Sequence, residues 1–123
     1  MTNQTQPKIL IADDDRELLR DLERVLKGEP FSTFFVRNAE DEIREARTGE
    51  YAFILTDLQM PNDEDGIYAI REIRKFSKVP IVMHTSYENE VLWQRAREAG
   101  ANEVISKQRT PLFDYAAIIR KYL

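Results

Sequence analysis

Short apolar runs alternate with amphipathic stretches five times along the chain. The runs fall near Lys8 to Ala12, Thr33 to Val36, Ala52 to Thr56, Ile81 to Thr85 and Glu103 to Ser106. That rhythm predicts a parallel sheet covered by helices on both faces. The first intervening stretch, about Arg16 to Lys27, places Leu18, Leu19, Leu22, Val25 and Leu26 at helical spacing, with Gly28 as a left-handed stop. The second, about Ala39 to Thr48, has Asn38 as its cap and Gly49 as its terminator, and turns Ile43 and Ala46 inward. A third, about Ile67 to Phe76, follows Gly66 and packs Ile67, Ile70 and Ile73; a fourth, about Asn89 to Ala99, ends at Gly100. The last opens with Thr110 as cap and Pro111 at its first position, and repeats Tyr115, Ile118, Ile119 and Tyr122 on one face.

At 123 residues this is one domain, expected over residues 8–123 behind a frayed or disordered segment 1–7. Hydrophobic residues at 42% and charged residues at 33% give a soluble, folded balance. The 18 basic side chains are scattered among 22 acids, so direct nucleic-acid binding is not expected. The chain has no cysteine, which excludes disulfides and thiolate metal sites and fits a cytoplasmic location. No apolar run approaches the length of a membrane span, and membrane association is not expected either.

Right-handed crossovers would bring the ends of all five strands to one edge, where open α/β sheets bind their ligands. The residues at that edge are Asp13, Asp14 and Asp15, then Asp57, then Thr85 and Ser86, then Lys107. In the favoured order 2-1-3-4-5 the first and third strands are neighbours, so their acids share a pocket. Unit charges about 4 Å apart repel by roughly 4 kcal/mol at an intermediate dielectric. A divalent cation offsets that, and an all-oxygen set with water suits magnesium, whereas zinc would ask for His or Cys. A metal-bound Asp57 flanked by the Lys107 ammonium and the Thr85 hydroxyl can attack phosphorus and become an aspartyl phosphate.

In these residues the chain resembles the receiver domain of two-component response regulators, from about Lys8 to its end. Ile9-Leu10-Ile11-Ala12-Asp13-Asp14-Asp15 matches the family's first strand and acidic pair, and Leu55-Thr56-Asp57-Leu58-Gln59-Met60-Pro61 its phosphoacceptor segment. Pro80-Ile81-Val82-Met83-His84-Thr85-Ser86 matches the fourth strand with its switch hydroxyl, and Ala99-Gly100-Ala101 followed by Lys107 matches the fifth. The resemblance implies a flavodoxin-like doubly wound (βα)5 fold. It also implies that Asp57 takes a phosphoryl group from a sensor histidine kinase or phosphotransfer protein and promotes its own phosphorylation and dephosphorylation without being a turnover enzyme. Asp14 and the Gln59 carbonyl would bind Mg²⁺ directly beside Asp57, with Asp13 acting through water, and Thr85 and Lys107 would contact the phosphoryl group. Gln59 and Tyr87 stand where the family sets its hydrolysis rate. Output would pass to a downstream target or an attached output domain through the face made by the fourth and fifth helices and the strand between them. A phosphorylation-dependent homodimer stays open, as does the choice between a complete single-domain regulator and a receiver from a longer chain.

Three departures from the family pattern stand out. Val104 occupies the place of the aromatic switch, and Gln108 replaces the frequent proline after the lysine, so a trans bond is expected there. The turn Asn62 to Gly66 is one residue longer than the common pattern, which suggests mobility. Asp15 reads as a helix cap rather than a ligand, and Asp63 to Asp65 as a solvated turn rather than a calcium loop. Alternation turns His84 away from Thr85, which favours a packed or surface role over a catalytic one. Trp93 is either an exposed contact residue or partly packed. A phosphatase of the haloacid dehalogenase type would want Thr after a first-strand acid pair, where Arg16 and Glu17 stand, and a flavin binder would want a hydroxyl-rich first turn. A degenerate receiver used only for binding is disfavoured by the full set of acids, threonine and lysine.

Overall fold

A computed structural model describes residues 6–123. The expected frayed segment therefore lies mostly outside the described residues. Of its described end, Pro7 is already tied to the fold, since its carbonyl accepts from the Ser32 amide at 2.9 Å. The elements run β1 (Lys8–Ala12), α1 (Arg16–Leu26), β2 (Ser32–Val36), α2 (Ala39–Ala46), β3 (Tyr51–Asp57), α3 (Asp65–Arg74), β4 (Ile81–Thr85), α4 (Glu90–Ala99), β5 (Glu103–Ser106), a 3₁₀ turn (Leu112–Asp114) and α5 (Tyr115–Arg120). The five strands are parallel and ordered β2-β1-β3-β4-β5, the order expected.

Strand alternation divides the interior in two. On one face Leu10, Ala12, Ile54, Ile81, Met83 and Val104 pack with Ile43 of α2, Ile67, Ile70 and Ile73 of α3 and Ala96 of α4. On the other, Ile9, Ile11, Phe53, Leu55, Val82 and Ile105 meet Leu19, Leu22 and Leu26 of α1 and Tyr115, Ala116 and Ile119 of α5. Each large aliphatic or Phe side chain so buried contributes on the order of 2 kcal/mol by leaving water, and the alanines far less.

The helix boundaries follow local chemistry. Asp15 caps α1, its carboxylate accepting from the amides of Glu17 and Leu18 at 3.0 and 3.2 Å. Asn38 caps α2 through Asp41 N at 2.8 Å, and Asn89, expected inside the fourth helix, instead caps it through Leu92 N at 3.1 Å. The expected Thr110 cap is not formed. Pro111 precedes a 3₁₀ turn without any side-chain cap, and regular α-helix begins only at Tyr115, so the first turn is wound tighter than helical spacing implied.

The segment between β3 and α3 was expected to be mobile, yet it is closed by its own hydrogen bonds. Asn62 N donates to Asp65 Oδ2 at 2.9 Å, Gln59 Nε2 to Asp63 Oδ1 at 2.7 Å, and Glu64 reaches Arg95 of α4 at 2.5 Å. Met60–Pro61 is the cis peptide bond among the described residues, and the bond after Lys107 is trans as expected.

Gly66 does more than open α3. Its amide donates to the Leu58 carbonyl at 2.8 Å, and a Cβ built on it would stand 2.2 Å from the Asp57 carbonyl oxygen. The first turn of α3 thus rests directly on the backbone that carries Asp57. Gly66→Ala must push the two apart, and a destabilisation of about 2 kcal/mol in urea unfolding is expected. An unchanged midpoint would show that the approach is looser than drawn.

Candidate functional site at the carboxyl edge of the sheet

β3 ends in Asp57 and β4 in Thr85, and both are buried, at 6% and 1% exposure. Asp14, Asp15, Asp57, Gln59, Pro61, Thr85, Ser86, Tyr87 and Lys107 line one cleft of about 300 Å³. Asp14 is exposed at its mouth, whereas Asp13 is wholly buried behind it. Lys107 is positioned by its own amide, which donates to the Thr85 carbonyl at 2.8 Å. Its ammonium stands 2.8 Å from Asp13 Oδ2 and 3.3 Å from Asp57 Oδ1. The Thr85 hydroxyl accepts from the Tyr87 amide at 3.0 Å, and Tyr87 in turn presents its carbonyl to the indole N–H of Trp93 at 2.7 Å. Trp93 is therefore partly packed, tying α4 to the loop that follows Thr85.

The carboxylates perturb one another as a crowded pair should. Burial raises the Asp57 carboxyl, the charge of Asp13 raises it further, and Lys107 only partly offsets them, leaving it at about 7. Burial also opposes ionisation of Asp13, but the His84 ring and the Lys107 ammonium outweigh it and hold the group at about 2. Burial would depress Lys107, yet Asp57 and Asp13 raise it instead.

The metal-ligating side chains brought closest together are two acids and the histidine. Ligand-capable atoms of Asp13, Asp57 and His84 lie within 4.8 Å of one another, while Asp14 and Gln59 join Asp57 on the open side of the cleft. Strand parity explains this. Asp13, Asp57 and His84 all continue the side-chain rows that face α1 and α5, and Asp57 pairs with His84 in the sheet register. Reading that parity across strands would have placed His84 beside Asp13. The histidine is indeed packed, but against an acid rather than an apolar neighbour.

Sequence reasoning also missed Glu42, which is fully buried in α2 and accepts from the Thr56 hydroxyl at 2.9 Å. The signal was present, since Ala39, Glu42, Ile43 and Ala46 share one helical face.

On the open side the cleft is lined by Asp14, Asp57 and Gln59, all oxygen-bearing, and its volume of about 300 Å³ leaves room for water. That donor set fits magnesium.

An open parallel sheet with acids, a hydroxyl and a lysine converging where the strand order reverses defines a doubly wound α/β protein with its site at the switch point. The family model for the response regulator receiver domain matches residues 9–114, and the chain belongs to that family, the signalling receivers of two-component systems. The transcriptional regulatory protein ResD of Bacillus subtilis is 34% identical over 110 residues, which span 89% of this chain and 45% of ResD. The chain thus corresponds to less than half of that relative. A two-component response regulator from Clostridium difficile superposes with a TM-score of 0.85 at 25% identity, covering 95% of each chain. A CheY-like receiver from Methanospirillum hungatei superposes at 0.86 with 22% identity, over 95% of this chain and 93% of that one, and shares the fold. Among the described residues no helix is long and apolar enough to cross a membrane.

Glu42 generates a prediction of its own. Burial, reinforced by the charge of Asp57 and only partly relieved by Thr56, raises its carboxyl from 4.5 to about 8. The folded state therefore holds a proton that the unfolded chain releases. Its contribution is intact below about pH 4.5 and is lost as pH rises towards about 8. Glu42→Gln should remove a decline of up to about 1.4 kcal/mol per pH unit across that window. Urea unfolding at about pH 5 and about pH 8 reads it, and equal pH slopes in both proteins would refute it.

Proposed function

We propose that the domain accepts a phosphoryl group on Asp57 from the phosphohistidine of a sensor kinase or phosphotransfer protein. The observation that carries this reading is the convergence of Asp57, Lys107 and Thr85 on one cleft that Asp14 and Gln59 also line. An oxygen of the Asp57 carboxylate attacks phosphorus. The new P–O bond forms as the donor's P–N bond breaks, and the imidazole leaves with that electron pair. Lys107 moves its charge from Asp57 to the oxygens of the transferred group, and the Thr85 hydroxyl turns to donate its proton to one of them, shifting its contact with the Tyr87 amide. Asp14, Asp57 and the Gln59 carbonyl would hold Mg²⁺, which would neutralise the phosphoryl oxygens, while Asp13 holds Lys107.

The same cleft would promote hydrolysis, with Gln59 and Tyr87 at its rim tuning the rate. The changed site is read out on the surface formed by α4, β5 and α5, by a target protein or an output domain such as a transcriptional regulator carries, or by phosphorylation-dependent pairing with a second copy. The receiver domain spans residues 8–123 in this reading and works in the cytoplasm, where its kinase presents the phosphohistidine.

Beryllofluoride with Mg²⁺ tests the site. Wild type should form one adduct, detected by ¹⁹F NMR, and Asp57→Asn none. Asp14→Asn should weaken Mg²⁺ binding by at least the tenfold or so that loss of an outer partner costs. Trp93, the single tryptophan, should change its fluorescence as Thr85 turns to the adduct, because Tyr87 links the two. An adduct that survives in Asp57→Asn, or the lack of one in wild type, contradicts the assignment.

A further inference from the structure

Behind the cleft, on the side away from solvent, Asp13 continues into two buried polar side chains, His84 and Tyr115, that phosphoacceptance does not require. His84 is 0% exposed, Asp13 0% and Tyr115, the first residue of α5, 2%. The Tyr115 hydroxyl is 3.0 Å from His84 Nδ1, and the two rings meet edge to face with centroids 5.7 Å apart. His84 Nε2 lies 2.9 Å from Asp13 Oδ2, the oxygen that also faces Lys107 at 2.8 Å.

Donor and acceptor chemistry gives this line a direction. A carboxylate only accepts, so the single proton of a neutral imidazole belongs on Nε2, facing Asp13. Nδ1 then accepts from Tyr115. The approach of Nε2 to Oδ2 is close but badly aligned, and both atoms are buried without a well-formed hydrogen bond. Poor alignment of buried polar atoms is costly, which makes the contact one that a small movement improves. Such a movement is available. Lys107 is shared between Asp13 and Asp57, and any negative group bound at Asp57 draws the ammonium away from Asp13 Oδ2. That oxygen is then free to turn to His84. A ring rotation of His84 carries Nδ1 with it, and the Tyr115 hydroxyl must follow or lose its partner.

We propose that His84 is a positioning residue that fixes the Asp13 carboxylate and links it through the Tyr115 hydroxyl to α5, so that occupancy of the cleft is felt at that helix. The inference rests on the phosphoacceptor reading for its biological use, not for its geometry. It supplies a route to the output face that needs no aromatic ring at Val104, which is buried on the opposite side of the sheet.

The experiment follows His84 ring-nitrogen and α5 amide resonances by NMR, first with Mg²⁺ alone and then with beryllofluoride added. In wild type both ligands should shift the His84 nitrogens and the amides of Tyr115 to Ile119. Tyr115→Phe preserves the ring packing and should bind both ligands normally, but the α5 response should vanish. His84→Leu should lose the response and weaken Mg²⁺ binding about tenfold, as loss of an outer partner does. His84→Gln keeps a donor towards Asp13 and should restore Mg²⁺ affinity without restoring the α5 response. That rescue separates positioning from mere space filling. If α5 responds equally in Tyr115→Phe and His84→Leu, or Mg²⁺ affinity is the same in all variants, the inference is wrong. If wild type binds Mg²⁺ with the expected shifts but takes no beryllofluoride, the phosphoacceptor reading fails while the link stands.

Discussion

The site is governed by the crowding of carboxylates at one sheet edge around a single ammonium. Asp13 and Asp57 sit behind an exposed Asp14, and Lys107 touches both buried acids. Burial and mutual repulsion push Asp57 up to about 7 while His84 and Lys107 hold Asp13 at about 2, so the pair divides its charge unevenly. Lys107, shared between the two buried acids, offsets that imbalance only in part. The fold exists to maintain it, through parallel strands that align the edge and a glycine at position 66 that lets α3 rest on the Asp57 backbone.

Two polar tethers lead away from this centre, one on each side of the sheet. On the α4 side, Thr85, the Tyr87 backbone and the Trp93 indole form a chain of contacts. On the α5 side, Asp13, His84 and Tyr115 form another. The chain carries no aromatic side chain at position 104, and the two tethers connect the site to the same pair of helices by other means.

Much of this was legible in the residues themselves. The five-strand order, the Asp15 and Asn38 caps, the glycine stops and the receiver family all follow from periodicity and from motifs in the right order. What escaped were features set by several elements at once. His84 was read against its own strand, where alternation showed only what it avoids, and its partner became visible only with β1 and α5 placed beside it. Glu42 was not singled out, although it shares the inward face of α2 with Ala39, Ile43 and Ala46. The length of the Asn62 to Gly66 turn suggested looseness, but its acids and amide bond one another. The start of the last helix was misplaced because Thr-Pro signals a helix start without distinguishing α from 3₁₀.

The most direct test of the account is the mass of the intact protein after incubation with acetyl phosphate, with and without Mg²⁺, followed by mapping of the modified residue. One added phosphoryl group, dependent on Mg²⁺ and located on Asp57, is the predicted result. A protein that gains no mass, or gains it at another residue, would contradict the claim that this pocket makes Asp57 the acceptor.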